Sequence, residues 1–294
     1  MNSIVIPIYK STPSPFEEIS FLQALCILGK KHAFSIVTHS KLNIDYYVDR
    51  LKEYKVSYTI EYFSSIYFSN ITGYNFLMLS KDFYQRLERF NYILIYQLDC
   101  FVFHDELEYW TQKGYDYIGS PLFAHYMSYA EDRPFWYNGN GGFSLRKVDS
   151  FLRVLNWKYP LRKSSDIKIL LEARKLSRSK YYIYYALLSI GFQNNINFFL
   201  KSLGYDPKTV NTSITDNQQR SNEDVIWSSK FLYTRVTIKT PNFDEGMGFS
   251  FEQSPEYLYQ ENKNKLPFGC HAWAKYNLSF WKPFIEKFGY KLQE

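Results

Sequence analysis

Short β-branched runs alternate with helix-like segments through the first third of the chain. SIVIPIY, residues 3–9, predicts a strand, and the next segment, FEEISFLQALCILG, has helical spacing that ends at Gly29. AFSIVTHS and KVSYTIEYF predict two further strands, residues 72–90 predict one helix, and YILIYQ, residues 92–97, predicts a fourth strand. Strands that alternate with helices are typical of an α/β fold with a mostly parallel central sheet flanked by helices. Ligands of such sheets bind at the carboxyl ends of the strands.

The pattern becomes less regular after residue 120. Residues 144–203 predict a mainly helical region, and residues 205–222 are polar and predict a loop. EDVIWSSKF, residues 223–231, predicts another helix. Because neither an internal repeat nor a linker divides the sequence, we predict a single domain over residues 1–294.

The composition changes this picture little. The chain has 294 residues, of which 46% are hydrophobic and 22% charged, enough for a sizeable core. No apolar run approaches the roughly 20 residues that span a bilayer, and the N-terminus lacks the pattern of a signal peptide. Cys26, Cys100 and Cys270 are scattered, which favours neither a disulfide framework nor a cysteine zinc site. We therefore expect a cytoplasmic protein.

Positive charge is concentrated in one part of the sequence. The formal net charge is +6, and residues 151–180 contain nine Lys or Arg against Asp166 and Glu172. One interpretation is a solvated face of a basic helical insertion. The other is a surface that contacts anionic lipid or an anionic acceptor. We expect no nucleic-acid partner, because no recognisable nucleic-acid module accompanies the charge.

One acid interrupts an apolar run. In YILIYQLDCFVFHD, residues 92–105, Asp99 stands between a strand-like segment and Phe101-Val102-Phe103. A buried carboxylate is costly unless it is hydrogen-bonded, exposed at a strand end or bound to a cation. Asp99 is therefore either the cap of a turn or a ligand of a divalent metal.

Three further motifs have both structural and chemical interpretations. NGNGGF, residues 138–143, is a β-turn or a segment that brings its backbone close to a ligand. Glu223 and Asp224 open a predicted helix, where acids complement the helix dipole, but either could also act as a general base. His271 is one of five histidines and is either a structural side chain or a metal ligand.

The order of several motifs resembles a known family. GYNFLMLSKDFYQRL, YILIYQLDCFVF, GYDYIGSP, NGNGGFSLR, NEDVIW and PFGCHAW resemble, in this order, a bacterial family of predicted GT-A-like glycosyltransferases formerly described as a domain of unknown function. The similarity covers most of the chain apart from the helical basic region. Gln97-Leu98-Asp99 occupies the Asp-x-Asp metal motif of GT-A enzymes, with Gln97 in place of the first acid.

The resemblance implies a role for each candidate residue. Asp99 and His271 would ligate Mn²⁺ or Mg²⁺, and Asp224 would be the general base of an inverting reaction, with Glu223 as the alternative. The donor nucleotide sugar would be bound by a larger group of residues: Pro7, Tyr9, Thr38, His39, Gln97, Asn140, Gly141 and Gly142.

The implied function is transfer of a sugar from a nucleotide diphosphate donor to a hydroxyl of a bacterial surface glycan, free or lipid-linked. Residues 1–120 would bind the donor, and residues 121–294, including the helical region 144–203, would bind the acceptor. Residues 151–180 would hold the protein at the inner face of an anionic membrane. Two alternatives remain: a noncatalytic nucleotide-sugar- or glycan-binding module with a degenerate metal motif, and a basic surface-binding protein whose acids are structural.

Overall fold

A six-stranded mixed sheet with helices packed against it forms the centre of the molecule. The computed structural model describes residues 1–124, 129–130, 135–157, 222–230 and 237–292, together with positions 179, 182, 183, 186, 198 and 200–202. The α/β class expected from the sequence is confirmed. Among the described residues, no helix is both long and apolar enough to cross a membrane.

The strand order of the central sheet is β3-β2-β1-β4-β9-β6. The neighbours from β3 to β4 pair in parallel, whereas β9 is antiparallel to both β4 and β6. The strands of this sheet are β1 (Asn2–Pro7), β2 (Ala33–Thr38), β3 (Tyr58–Tyr62), β4 (Tyr92–Tyr96), β6 (Tyr117–Ile118) and β9 (Phe143–Lys147).

Two smaller sheets and a set of helices complete the described structure. A three-stranded sheet has the order β10-β11-β5, with β5 (Phe101–Val102), β10 (Ser250–Phe251) and β11 (Gly269–Cys270), and β7 (Pro121–Phe123) pairs with β8 (Phe135–Asn138). The α-helices span Pro15–Leu28, Asp45–Glu53, Ile71–Met78, Lys81–Arg86, Leu107–Gln112, Val148–Leu155, Glu223–Val225, Phe243–Phe249, Pro255–Glu261 and Leu278–Ile285. Short 3₁₀ turns span Ser65–Phe68 and Glu286–Phe288.

Burial on both faces explains the apolar runs of the central strands. Ile4 and Ile6 of β1 belong to the core on one side of the sheet, whereas Val5 belongs to the core on the other side. In β4, Leu94 belongs to the first of these cores and Ile95 to the second. Strands covered on both faces are apolar throughout rather than alternating, which is why these two were visible in the sequence.

A third, aromatic core lies beneath the small three-stranded sheet. Phe101 and Phe103 pack there with Trp273 and Trp281, all of them buried. β11 pairs antiparallel with β5, which brings the C-terminal part of the chain against the segment after β4. The fold thereby places His271 next to Asp99.

The structure corrects three predicted elements. The single helix predicted over 72–90 is wrong: two helices meet at Ser80, whose hydroxyl accepts from the amide of Phe83 at 3.2 Å and starts the second. The helix predicted to begin at residue 144 is wrong at its start, because 143–147 pairs with β4 as a strand. The helix predicted over 223–231 is a short helical turn followed by a π-helical turn at Ile226–Lys230.

Candidate active site

The turn after β4 places Asp99 at the edge of the central sheet. In this turn, residues 97–100, the amide of Cys100 donates to the carbonyl of Gln97 at 3.0 Å. The amide of Gln97 donates to the carbonyl of Gly142 at 3.0 Å, which ties the turn to the glycine-rich segment. The Asp99 side chain remains 49% exposed. Its carboxylate therefore lies outside the apolar core, which explains how an acid is tolerated in this run.

His271 lies opposite this turn. Its Nε2 is 3.2 Å from Oδ1 of Asp99 and 3.2 Å from Oε1 of Gln97. Its Nδ1 is 3.0 Å from Oε1 of Glu252. A neutral imidazole that donates its Nδ1–H to a carboxylate presents Nε2 as an acceptor. Nε2 would then direct its lone pair at two oxygens, so a proton or a metal cation is needed there.

The charges around the imidazole favour a cation at this point. Burial alone would lower the pKa of His271. The carboxylates of Asp99 and Glu252 nevertheless raise this pKa well above its ordinary value. Burial likewise opposes the ionisation of Asp99, but His271 and, to a smaller extent, Lys275 hold the pKa of Asp99 below its ordinary value. Two carboxylates therefore converge on one imidazole and stabilise positive charge.

The donor atoms at this centre fit a hard divalent cation. Within the described part of the chain, Asp99, Cys100 and His271 form a group whose ligand atoms all lie within 4.8 Å of one another. Burial raises the pKa of the Cys100 thiol, whose Sγ donates to the carbonyl of Gly142 at 3.2 Å, so the sulfur stays protonated and structural. One carboxylate and one imidazole, with the amide oxygen of Gln97 beside them, suit Mn²⁺ or Mg²⁺ better than a soft metal.

The glycines of the NGNGGF segment provide room for two functional side chains. A Cβ on Gly142 would lie 2.1 Å from Nε2 of His271, and a Cβ on Gly141 would lie 2.3 Å from Oε1 of Glu223. Asn140 is buried, and its Oδ1 accepts from the amide of Gly142 at 2.9 Å, which stabilises the turn. The segment is thus a turn whose glycines are needed for close approach of other side chains.

Glu223 forms a buried ion pair with Arg146. Oε1 of Glu223 accepts from Nη2 of Arg146 at 2.7 Å, and the two side chains are 3% and 0% exposed. Arg146 also donates to Ser144 at 3.1 Å and to the hydroxyl of Tyr84 at 3.0 Å. Although burial opposes its charge, the Glu223 carboxylate keeps the pKa of Arg146 well above its ordinary value. Glu223 is therefore held by an arginine that always carries its charge.

Asp224 has a different environment from its neighbour. Its Oδ1 accepts from the amide of Val225 at 2.7 Å. Its side chain is only partly buried and lines a cavity. Burial, together with the negative charges of Glu223 and Glu252, raises the pKa of Asp224 to about 7. A carboxylate with this pKa can accept a proton near neutral pH, as a general base must. The π-helical turn that follows is a feature often found at functional sites.

Two cavities meet at the Asp99–His271 centre. The larger, of about 750 Å³, contains Asp224, His271 and the Asn140–Gly142 turn. The smaller, of about 450 Å³, contains Asp99 and opens toward β1. The two share three lining residues, Ile71, Tyr74 and Gln97. Both volumes are in the range of small-molecule sites.

Two residues that line the larger cavity each have a buried carboxylate oxygen without a partner in the described part of the chain. Oε2 of Glu223 and Oε2 of Glu252 are both buried, and neither has a hydrogen-bond partner among the described residues. Both side chains line the 750 Å³ cavity. A buried acceptor without a donor is costly, so each oxygen is available to a donor group that can reach it.

The structure brings together only part of the predicted donor-binding set. Pro7 and Tyr9 line the 450 Å³ cavity, and the hydroxyl of Tyr9 donates to Glu17 at 2.7 Å. The lining does not include Thr38, which is fully buried, or His39. The ring of His39 packs instead against Phe68, with the ring centroids 5.5 Å apart, and Phe68 lines the cavity. Thr38 and His39 thus lie behind the cavity wall.

Four residues of the site received no role in the sequence analysis. Glu252 orients His271, Arg146 holds Glu223, Tyr74 lines both cavities, and Lys275 lines the larger one. Arg146 had one signal in the sequence, its place at the end of the NGNGGFSLR motif. Glu252 follows a two-residue strand and carried no comparable signal.

The predicted membrane-contact surface falls mostly outside the described residues. Of the basic residues in 151–180, only Arg153 is described, and it contacts Asp116 at 3.7 Å. The others lie outside the described part of the chain: Lys158, Arg162, Lys163, Lys168, Arg174, Lys175, Arg178 and Lys180.

Comparison with known proteins yields one family match. The model of the family described as "Protein of unknown function (DUF5672)" matches residues 57–271. The curated proteins contain no match. Among solved structures, the crystal structure of A197 from STIV aligns at 12% identity with a TM-score of 0.27, covering 51% of this chain and 66% of A197, just under two thirds of its length. An alignment at that score does not bear on fold or function.

Proposed function

We propose that this chain, which belongs to the DUF5672 family, is a metal-dependent, inverting glycosyltransferase with a GT-A-like fold. It would transfer a sugar from a nucleotide diphosphate donor to a hydroxyl of a bacterial surface glycan at the cytoplasmic face of the membrane. One observation carries the proposal. Two cavities that share a wall meet at the Asp99–His271 pair, and the larger one contains Asp224, whose pKa is raised to about 7.

The fold supports this proposal through the position of the site. The run of parallel strands from β3 to β4 points the carboxyl ends of β1 and β4 to the same edge of the sheet. Pro7 ends β1, and Asp99 follows β4, so both lie at that edge. This is where ligands of parallel α/β sheets bind.

The 450 Å³ cavity suits a nucleotide. Its wall includes the aromatic rings of Tyr9, Tyr67 and Phe68, against which a planar base can pack. Asp99 lies in the same cavity, at the boundary shared with the larger one. A base held by the aromatic rings would therefore place its diphosphate toward Asp99.

Asp99 and His271 are the residues that would hold the metal. Gln97 contributes an amide oxygen, which binds a cation more weakly than the acid it replaces, and Glu252 orients the imidazole from behind. A bound Mn²⁺ or Mg²⁺ would neutralise the charge of the departing diphosphate. Lys275 lowers the pKa of Asp99 and lines the larger cavity, so it adds a second positive charge on the same side.

Asp224 is the candidate general base. It would take the proton of the acceptor hydroxyl while the hydroxyl oxygen bonds to the anomeric carbon and the bond from that carbon to the diphosphate breaks. The nucleotide diphosphate leaves with the electron pair, and the configuration at the anomeric carbon inverts. Burial raises the pKa of Glu223, although Arg146 opposes that rise. Glu223 is less suited to this role because its carboxylate is buried and already paired with Arg146 at 2.7 Å.

A thermal-shift screen of nucleotide sugars, with and without Mn²⁺, tests the proposal. A ligand at 100 times its Kd adds about 2.7 kcal/mol to the stability of the folded state. We expect at least one donor to raise Tm in a Mn²⁺-dependent way, and Asp99→Ala to abolish that shift. Asp49→Ala, at an exposed acid on a helix, is the matched control and should leave it unchanged. An equal shift in Asp99→Ala would remove the metal assignment.

The second candidate is a noncatalytic nucleotide-sugar- or glycan-binding module. Gln97 in the metal motif favours this candidate. The direct contact between Asp99 and His271 also favours it, because a protonated imidazole pairs with the carboxylate without a metal. Such a module would bind donor equally well with and without Mn²⁺. It would also release no nucleotide diphosphate with any acceptor, which an assay of diphosphate release measures.

A further inference from the structure

A third cavity adjoins the larger one. This side cavity, of about 420 Å³, shares Lys275 and Tyr276 with the 750 Å³ cavity. It shares no described lining residue with the 450 Å³ cavity that contains Asp99. The 750 Å³ reaction cavity therefore adjoins both of the other cavities, and they adjoin it through different residues.

The side cavity has an aromatic wall with polar groups around it. Tyr257 and Tyr129 stack with ring centroids 3.7 Å apart and planes 4° apart, and Tyr276 lies at the junction with the larger cavity. Tyr129 is 36% exposed, although its ring is large and mostly apolar. Sugars present apolar C–H faces, which pack on aromatic rings, and hydroxyl edges, which need polar partners.

The polar groups are held in place by local structure. The hydroxyl of Ser254 accepts from the amide of Tyr129 at 2.7 Å, and the side-chain amide of Asn277 donates to Glu256. Ser254 and Asn277 have left-handed backbone conformations, with φ of 52° and 63°. Strained non-glycine residues are often found where a binding site must be rigid.

We infer that the side cavity binds a further sugar unit of the acceptor, so that the acceptor is an oligosaccharide rather than a monosaccharide. The reactive sugar would lie near Asp224, and the preceding unit would pack on Tyr276 and Tyr257. This inference rests on the proposed function, because the direction in which the acceptor extends is taken from the position of the donor cavity. The two lining residues that the side cavity shares with the reaction cavity, Lys275 and Tyr276, are what select an acceptor glycan as the occupant.

The test is binding to an array of immobilised bacterial O-antigen and core oligosaccharides, printed beside their component monosaccharides. We expect the wild-type chain to retain at least one oligosaccharide about tenfold more strongly than its component sugars. Tyr257→Ala and Tyr276→Ala should each lose most of that preference, whereas Tyr257→Phe, which keeps the ring, should retain it. Tyr109→Ala is the matched control, since Tyr109 is 51% exposed and lines a separate cavity.

Donor binding separates the two proposals. Tyr257→Ala should keep the Mn²⁺-dependent Tm shift with a nucleotide sugar, which also shows that the variant is folded. No preference for any oligosaccharide, or a preference that survives in Tyr257→Ala and Tyr276→Ala, would overturn the inference while leaving the transferase proposal intact. An oligosaccharide preference that depends on Tyr257, in a protein that binds no nucleotide sugar, would support the glycan site and refute the transferase.

Discussion

The site contains two acid–cation pairs with opposite exposure. Glu223 and Arg146 are 2.7 Å apart and sealed from solvent, whereas Asp99 and His271 are 3.2 Å apart with the Asp99 side chain 49% exposed. The sealed pair has a permanent cation that a ligand cannot replace. The open pair has a titratable cation at the meeting point of two cavities. Exposure, rather than the presence of an acid, therefore separates the structural pair from the ligand-binding one.

The sealed pair also positions the rest of the site. Arg146 lies on β9 and contacts the carbonyl of Gly141 at 3.4 Å in addition to Glu223. The amide of Glu223 donates to Asn75 at 3.2 Å, which fixes the start of the helical turn that presents Asp224. The pair thus links the glycine segment to the candidate base.

The largest effect expected from this comparison concerns stability. Arg146→Met leaves the Glu223 carboxylate buried without its cation, so the free energy of unfolding should fall by about 3–5 kcal/mol, measured by urea denaturation. Adding Glu223→Leu should recover much of the loss, because the buried charge is then removed. Arg50→Met is the matched control: the Arg50–Glu53 pair is exposed, so its loss should change the free energy of unfolding far less. A loss in Arg146→Met as small as this control's would show that the pair is not sealed.

Asp224→Asn should have the largest effect on the reaction. Removal of a general base typically lowers kcat by about 10²- to 10⁴-fold. Donor binding should be retained, because Asp224 does not line the cavity assigned to the nucleotide. The product of the wild-type enzyme, followed by NMR, should have the anomeric configuration opposite to that of the donor. Full activity in Asp224→Asn, or a product with retained configuration, would refute the proposed mechanism.

Gly142→Ala should weaken the open pair without breaking the sealed one. The new methyl group would lie 2.1 Å from Nε2 of His271 and must displace the imidazole. Changes that misplace a metal-bound histidine typically lower metal affinity by about 10- to 100-fold, which a Mn²⁺ titration of the Tm shift measures. Gly248→Ala is the control, because its methyl group would only touch Trp110 at 3.4 Å. Equal Mn²⁺ affinity in both variants would argue against His271 as a ligand.

The sequence predicted the sheet better than the site. β1 and β4 are apolar on both faces, so their positions were evident from the sequence. Asp99 was singled out for the same reason, as an acid beside such a strand. Its partner His271 is distant in the sequence, and only the pairing of β11 with β5 brings the two together. Their proximity was predicted by resemblance and not from any spacing.

Neighbouring acids could not be separated from the sequence alone. Glu223 and Asp224 are adjacent and both open a helical turn, so the sequence favoured neither as the base. The two acids differ because Arg146 pairs with Glu223 only. The side of the sheet on which the Arg146 side chain lies depends on its position in β9, and the sequence predicted helix for that segment. The short strands after residue 116 were missed in the same way, because two or three residues are too few to show a period.

The smallest expected effect is the pH dependence of Asp224. Because the pKa of Asp224 in the free protein is raised to about 7, the ionised base is scarce below that pH, and kcat/KM should fall about tenfold from pH 8 to pH 6. The free energy of unfolding should change in the opposite direction and rise as the pH falls. An acid whose pKa is raised by folding stabilises the folded state fully below its unfolded pKa and loses that contribution as pH rises through about 7. Denaturation of wild type and Asp224→Asn across pH 5–8 measures this contribution, since the asparagine does not titrate. If the two proteins lost stability in parallel, Asp224 would not be the titrating group, and the acid limb of the rate profile would belong to another residue.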